Sequence, residues 1–257
     1  MKSLIKKLVE GYGPSGDERE IRQLITKEIE DKVDELKVDN LGNLIAVKKG
    51  QNSDKKVMLA AHMDEIGVIA THIDDDGFIR FSNVGGIAPY MLLGERVLFN
   101  GKTVGVIDKE GKVDDISKLE YDKLYIDIGA QSKEEATKKV NIGDTACYYR
   151  RLDDLGDKIV AKSLDDRIGC AVLIETINNL TTQPSYDTYF VFTVQEEVGI
   201  RGSKTSTYRI NPDLGLAVDV TLTGDTPEAK RMSVSLGEGP TVKVTDSSVL
   251  VSPKVKE

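Results

Sequence analysis

The chain is expected to fold as an α/β protein: a mostly parallel sheet with helices on both faces, interrupted by a small β-rich, barrel-like domain. Three observations predict this. Segments with apolar residues at helical spacing alternate with short, continuously apolar runs, the pattern of strands covered on both faces. Four of those runs stop at an acidic motif, as strands do where an open sheet builds its ligand crevice. Between residues 67 and 151 helical periodicity nearly vanishes, and short strands with turn signals replace it. Residues 1–66 and 152–257 therefore form the α/β domain, and 67–151 the insertion.

The elements follow in order. Leu4, Ile5, Leu8 and Val9 share one helical face, and Gly11-Tyr-Gly-Pro-Ser-Gly16 breaks that helix. Ser15 and Glu18 have the spacing of a capping box. After them Ile21, Leu24, Ile25 and Ile29 predict a helix to about Val33. Residues 37–47 alternate around Asn40-Leu-Gly42-Asn43, a hairpin signal, and 57–61 is a short buried strand. In the insertion, turns are marked at Asp74-Asp-Asp-Gly77, Asn83-Val-Gly-Gly86 and Asn100-Gly101, with one short helix opened by Ser132 and Glu135 as a second capping box. Helical spacing returns at Ile168, Ala171, Val172 and Ile177, between strand-like runs at 158–161 and 188–194. Strand, helix and strand in succession imply parallel pairing. Residues 199–207 read as a loop entering a helix.

Composition narrows the function. The 257 residues are 39% hydrophobic, enough for a substantial core, and only 5% aromatic with no Trp, so that core is aliphatic. The net charge of −8, without a basic block, argues against nucleic acid and anionic membrane as partners. No apolar run is long enough to span a bilayer, and the start lacks a signal peptide's apolar centre. The two cysteines, Cys147 and Cys170, have neither metal-site nor redox spacing, so a cytoplasmic protein with reduced thiols is expected.

The acidic motifs are His62-Met-Asp64-Glu65, Leu164-Asp165-Asp166-Arg167, Gln195-Glu196-Glu197 and Val218-Asp219. Asp64 is placed to accept the second ring N–H of His62 and fix its tautomer; a helix cap or a satisfied buried histidine would explain the motif equally well. Asp165 and Asp166 stand where an N-cap is also expected. Adjacent Glu196 and Glu197 repel each other unless a cation or proton offsets them. They point different ways, so one can hold a metal while the other reaches water. Asp219 ends an apolar strand, where a charge needs a partner. Carboxylates with one imidazole suit Zn²⁺, Co²⁺ or Mn²⁺, and a free glutamate beside such ions serves as general base in amide hydrolysis. Paired carboxylates also cleave glycosides, but adjacent glutamates beside a histidine do not suit a sugar flanked from two sides. A calcium loop at Asp74-Asp-Asp-Gly77 lacks the ligand spacing.

These motifs, with Gly13-Pro-Ser-Gly16-Asp-Glu18, Asp39-Asn-Leu-Gly42, Asp127-Ile-Gly-Ala130, Arg201-Gly202 and Asp225-Thr-Pro227, resemble the TET-type metallo-aminopeptidases, the glutamyl aminopeptidase family, some members of which carry an endoglucanase label. The resemblance runs along the whole chain. It implies a dinuclear metallopeptidase, with His62 and Asp219 on one zinc or cobalt ion, Glu197 on the other and Asp165 bridging. Glu196 would be the general base and Asp64 the partner of His62. It implies that the insertion is a dimerisation domain, that subunits assemble as homo-oligomers up to a dodecamer, and that short peptides are trimmed from their N-terminus. It also implies a segment beyond Glu257 that gives the second metal a further histidine, so the second site is expected to be weak here. His72, the other histidine, is read as a surface or hairpin residue. The alternative expectation is a truncated, catalytically impaired homologue acting as a non-enzymatic assembly protein.

Overall fold

Apolar residues at helical spacing build α1 (Lys2–Glu10) and α2 (Arg19–Ile29), which bury Ile5, Leu8 and Val9, and Ile21, Ile25 and Ile29 respectively. In the computed structural model, which describes residues 1–246 and 248–256, α2 stops four residues short of Val33. The Lys32 N–H turns back to the Ile29 carbonyl, and the chain is redirected into the hairpin of β1 (Glu35–Val38) and β2 (Leu44–Lys48). One Asp39 oxygen closes that hairpin, accepting N–H bonds from Leu41, Gly42 and Asn43 at 3.0, 2.9 and 3.0 Å. Strand β3 (Asn52–His62) follows and ends on the histidine.

The chain then leaves the sheet. Strands β4 (Gly67–Ile73), β5 (Ile79–Val84), β6 (Arg96–Phe99), β7 (Thr103–Lys109), β8 (Leu124–Asp127) and β9 (Thr145–Tyr148) close a barrel in the order β4-β5-β8-β7-β6-β9. Val68, Ala70, Phe99, Ile107, Ile126 and Ala146 help fill it. Closure leaves the barrel no free edge. His72 lies exposed on β4. The short helix α3 (Lys133–Thr137) is capped by Ser132, whose Oγ accepts the Glu135 N–H at 3.3 Å; the Glu135 carboxylate takes the Gln131 N–H rather than that of Ser132.

Among the described residues, strand β10 (Asp153–Asp154) pairs only with β11 (Ile159–Val160), antiparallel, in a two-stranded ribbon. This corrects the expectation that 158–161 is a sheet strand parallel to 188–194. Ile159 and Ala161 still pack against the core edge while Val160 is exposed, but two residues are too few to enter the main sheet. The place beside β12 (Tyr186–Thr193) belongs to β3, parallel through to Thr193 opposite His62. Helix α4 (Leu164–Asn179) precedes β12; α5 (Arg201–Ile210) and β13 (Leu214–Ala217) follow it. The sheet order is β1-β2-β12-β3-β13, with β12, β3 and β13 parallel and the hairpin antiparallel.

Period-two alternation gives this sheet two apolar faces. Leu44, Ala46, Phe190 and Phe192 pack against α1, α2 and α4. Ile45, Val47, Met58 and Val191 face the other way and meet Ile210 of α5. Each buried Phe or Leu contributes about 1.5–3 kcal/mol. All of this lies in one compact unit, Met1–Val220; a second begins at Thr221. That second unit has little regular structure among the described residues: a Thr245–Leu250 bridge and helix α6 (Pro253–Lys256).

Candidate metal and active site

Because β3, β12 and β13 are parallel, their carboxyl ends open on the same side. His62 is the last residue of β3, Glu196 and Glu197 follow β12, and Asp219 follows β13. The fourth motif arrives from the turn that leads into α4. Backbone angles at Asp165 and Asp166 are not helical, so the regular helix starts beyond them. Here two adjacent residues divide the roles the sequence left open. Asp166, wholly buried, caps the helix through the Gly169 N–H at 3.0 Å and accepts the backbone N–H of His62 at 3.1 Å. A Cβ on Gly169 would lie 2.5 Å from that carboxylate, so any side chain there would push Asp166 out of place. Asp165 points instead to the imidazole, its Oδ1 2.9 Å from His62 Nε2.

The other face of the imidazole is held by Asp64, with Nδ1 3.2 Å from its carbonyl and 3.4 Å from its Oδ1. Asp64 is fully buried and does more than orient the ring. Its carboxylate accepts the backbone N–H groups of Glu196 at 3.0 Å and Glu197 at 3.2 Å, and the Ser15 hydroxyl at 2.6 Å. Glu18 accepts the N–H of Gln195 at 3.2 Å and of Gly16 at 2.7 Å. Ser15 and Glu18 are therefore not a capping box, as their spacing suggests; Glu18 itself occupies the N-cap of α2, without a side-chain bond there. Both side chains are spent on holding the site.

One ligand atom each from His62, Asp165 and Glu197 lie within 4.8 Å of one another, and the same holds for His62, Asp166 and Asp219. Glu196 Oε2 stands 4.0 Å from His62 Nε2. For Asp166 the sequence offered only the N-cap reading; its burial and its place beside His62 and Asp219 are tertiary facts. Asp165 groups with Glu197 and His62, Asp219 with His62 and Asp166.

The electrostatics are those of a site short of positive charge. Burial pushes Asp166 up to about 8, against the pull of His62, and pushes Glu197 up to about 7, with Asp165, Asp64 and Glu196 adding to it. Glu196 is raised for the same reason. Burial disfavours a charged His62, but the hydrogen bonds to Asp165 and Asp64 outweigh it and carry the imidazole to about 11. Asp64 ends below its usual value despite burial, because of His62 and Ser15. A cluster that holds protons this tightly in water is one where a cation can take their place.

Residues 42–257 match the M42 glutamyl aminopeptidase family. A protein of Acetivibrio thermocellus named "Putative aminopeptidase" is 53% identical over all of this chain and 77% of its own length. Among solved structures, an aminopeptidase from the archaeon Desulfurococcus kamchatkensis superposes with a TM-score of 0.92 at 39% identity, covering 98% of this chain and 73% of that one. The TET1 peptidase of Pyrococcus horikoshii, which can assemble into a tetrahedron or a large octahedral shell, gives 0.87 at 35% identity over 99% of this chain and 78% of that one. The chain belongs to the M42 glutamyl aminopeptidase family and is a peptide hydrolase. It spans about three quarters of the length of these relatives. Family membership implies use of a divalent metal, and the donors for one are gathered at the strand ends.

Proposed function

We propose that this chain is a metal-dependent aminopeptidase that removes N-terminal residues from short peptides, with Glu196 as general base. One observation carries the reading: imidazole and carboxylate ligand atoms converge within 4.8 Å while a second glutamate stands beside them. The residues fit divalent ions of the zinc, cobalt or manganese class. They offer one nitrogen and several hard oxygens, and their raised carboxyl values mark a deficit of positive charge. His62 and Asp219 would hold one ion, Glu197 the other, and Asp165 would bridge. Bound there, the ions supply Lewis acidity that polarises a carbonyl and makes water more acidic.

The chain's own groups do the rest. Asp64 holds the ring of His62 and, through the two N–H bonds, the backbone of both glutamates, which keeps the base of the Glu196 side chain in place beside the imidazole. Glu196 takes the proton of the attacking water and returns it to the leaving amine. Asp165, with 58% of its side chain exposed, lies on the side open to an arriving peptide. The closed barrel is the proposed dimerisation element, and the assembly of the TET1 relative supports a homo-oligomer. A purely non-enzymatic assembly role is not favoured in a chain whose relatives are aminopeptidases.

The test is metal content per chain after dialysis against Zn²⁺ or Co²⁺, with aminoacyl-p-nitroanilide turnover read on the same sample. Uptake of divalent ions and turnover lost to a chelator are expected. Glu196→Gln should keep the metal and lower kcat by roughly 10²- to 10⁴-fold. Chelator-resistant turnover, or a fully active Glu196→Gln, would sink the reading.

A further inference from the structure

Directly behind the site lies a second charged cluster that the proposed chemistry does not use. Glu65, 2% exposed, sits one residue past Asp64. Its carboxylate accepts the Lys162 ammonium at 2.6 and 2.9 Å, the Ser163 hydroxyl, and the Arg167 guanidinium at 3.2 Å. The side chains of Lys162 and Arg167 are 6% and 0% exposed. Arg167 also donates to the carbonyls of Leu8, Gly11 and Gly13 at 2.5, 3.3 and 3.4 Å, which anchors it to the end of α1 and the segment after it.

These three partners of the Glu65 carboxylate lie on one short stretch, and that stretch brackets Asp165: Ser163 precedes it by two residues and Arg167 follows it by two; the carboxylate also takes the buried Cys147 thiol of β9. We propose that Glu65 is a positioning residue of the peptidase site, clipping the 162–167 turn to the loop of His62 and Asp64 and so setting where Asp165 stands against the imidazole. Rigid strands fix His62 already. The turn before α4 belongs to no strand of the sheet: its residues 165 and 166 are not helical, the ribbon before it stands outside the main sheet, and Asp166 ties one point of it to the His62 N–H. The clip holds the turn from both sides of Asp165. Among the described residues the Glu65 side chain bonds none of the candidate ligands, so its effect on Asp165 passes through the turn. The inference rests on the reading of His62 and Asp165 as metal ligands.

The test uses Glu65→Gln, which keeps the shape and drops the charge, and the double variant Glu65→Gln/Lys162→Met. The double variant leaves the buried cluster at the same net charge as the native triad, so it remains informative where the single variant folds poorly. Asp187→Asn is the control. That buried carboxylate is bound by the Gly50 N–H and Ser53 at the end of β12 away from the glutamates.

Beside turnover and melting temperature, the experiment reads Co²⁺ affinity, the visible absorption band of the Co²⁺ protein, and the side-chain ¹⁵N resonances of the metal-free protein. His62 and His72 are the only two histidines, so the spectrum resolves them. Expected in both Glu65 variants are a roughly ten- to hundredfold weaker Co²⁺ affinity, an altered band, and moved His62 resonances with those of His72 unmoved. In turnover, kcat should fall with KM little changed. Asp187→Asn should lower the melting temperature and leave band and resonances alone. A folded Glu65 variant with native affinity, band and His62 resonances overturns the proposal. If the native chain takes up no Co²⁺, the metallopeptidase reading fails instead, and the His62 resonances of the metal-free variants still decide whether Glu65 positions the site.

Discussion

Glu18 shows how a residue's neighbours redirect its chemistry. In sequence it closes a capping box, yet its carboxylate is 4% exposed and turned to the backbone of Gly16 and Gln195. Burial raises its pKa above the ordinary glutamate value, and the N–H bonds offset only part of that. A carboxyl raised on folding binds its proton more tightly in the native state. Its stabilising effect is complete below the unfolded value of about 4.3 and declines as pH rises from there through the folded value. Glu18→Gln lacks that titration. The melting temperature of the native chain minus that of Glu18→Gln should therefore shrink as pH is raised from about 4 to about 7; a constant difference would mean that the carboxyl is not perturbed. Asp165 and Asp166 teach the same lesson. Adjacent and chemically identical, one is exposed and turned to the imidazole, while the other is buried, caps the helix and accepts the His62 N–H.

Among the elements, the connection from β12 to α5 carries the most consequence, because it presents both glutamates. Three residues from other parts of the unit hold it. Asn43, at the start of β2, accepts the Val194 N–H at 3.0 Å and donates to the Gly202 carbonyl at 3.1 Å. Asp64 and Glu18 take the next three N–H groups. Gly202 is where α5 passes closest, and a Cβ there would lie 2.4 Å from both Asn43 Oδ1 and the Val194 carbonyl. Gly202→Ala should therefore destabilise by about 1–3 kcal/mol through overpacking, and displace the glutamates enough to lower kcat. Thermal melts and turnover check this; native values for both would show that the connection tolerates a shift. The Asn40–Gly42 turn signal thus serves the site as well as the hairpin, since the same hairpin presents Asn43.

For the molecule as a whole, the barrel and the sheet solve different problems. The open sheet offers parallel strand ends, where backbone geometry leaves a crevice for ligands. The barrel has no strand edge to offer a partner, so association must use its side-chain faces. Val104 and Val106 alternate outward on β7, and Tyr90, Met91, Ile116 and Ile142 are also exposed on the insertion. Light scattering of the purified chain should give a mass that is a multiple of the 28.2 kDa protomer, and Val104→Lys with Val106→Lys should reduce it. A strictly monomeric native chain would remove the barrel's proposed role in assembly.

Periodicity and motif placement carried a large share of this protein in the linear chain. The α/β class, the β-rich interruption, the hairpin at Asn40–Gly42 and the gathering of His62, Asp64, Asp165, Glu196, Glu197 and Asp219 were legible because apolar spacing and strand-end carboxylates are local patterns. Their individual roles are what the proposed experiments address. Strand partners were not legible. Residues 158–161 look like a sheet strand, but pairing is settled by which chain fills the place beside β12, and β3 fills it. Nor was the support of the site visible. Ser15, Glu18, Asn43, Glu65 and Asp166 are ordinary polar residues until folding removes them from water, and a buried polar group must then find partners wherever the fold supplies them. Those partners lie up to 177 residues away in sequence, a distance no local pattern can encode.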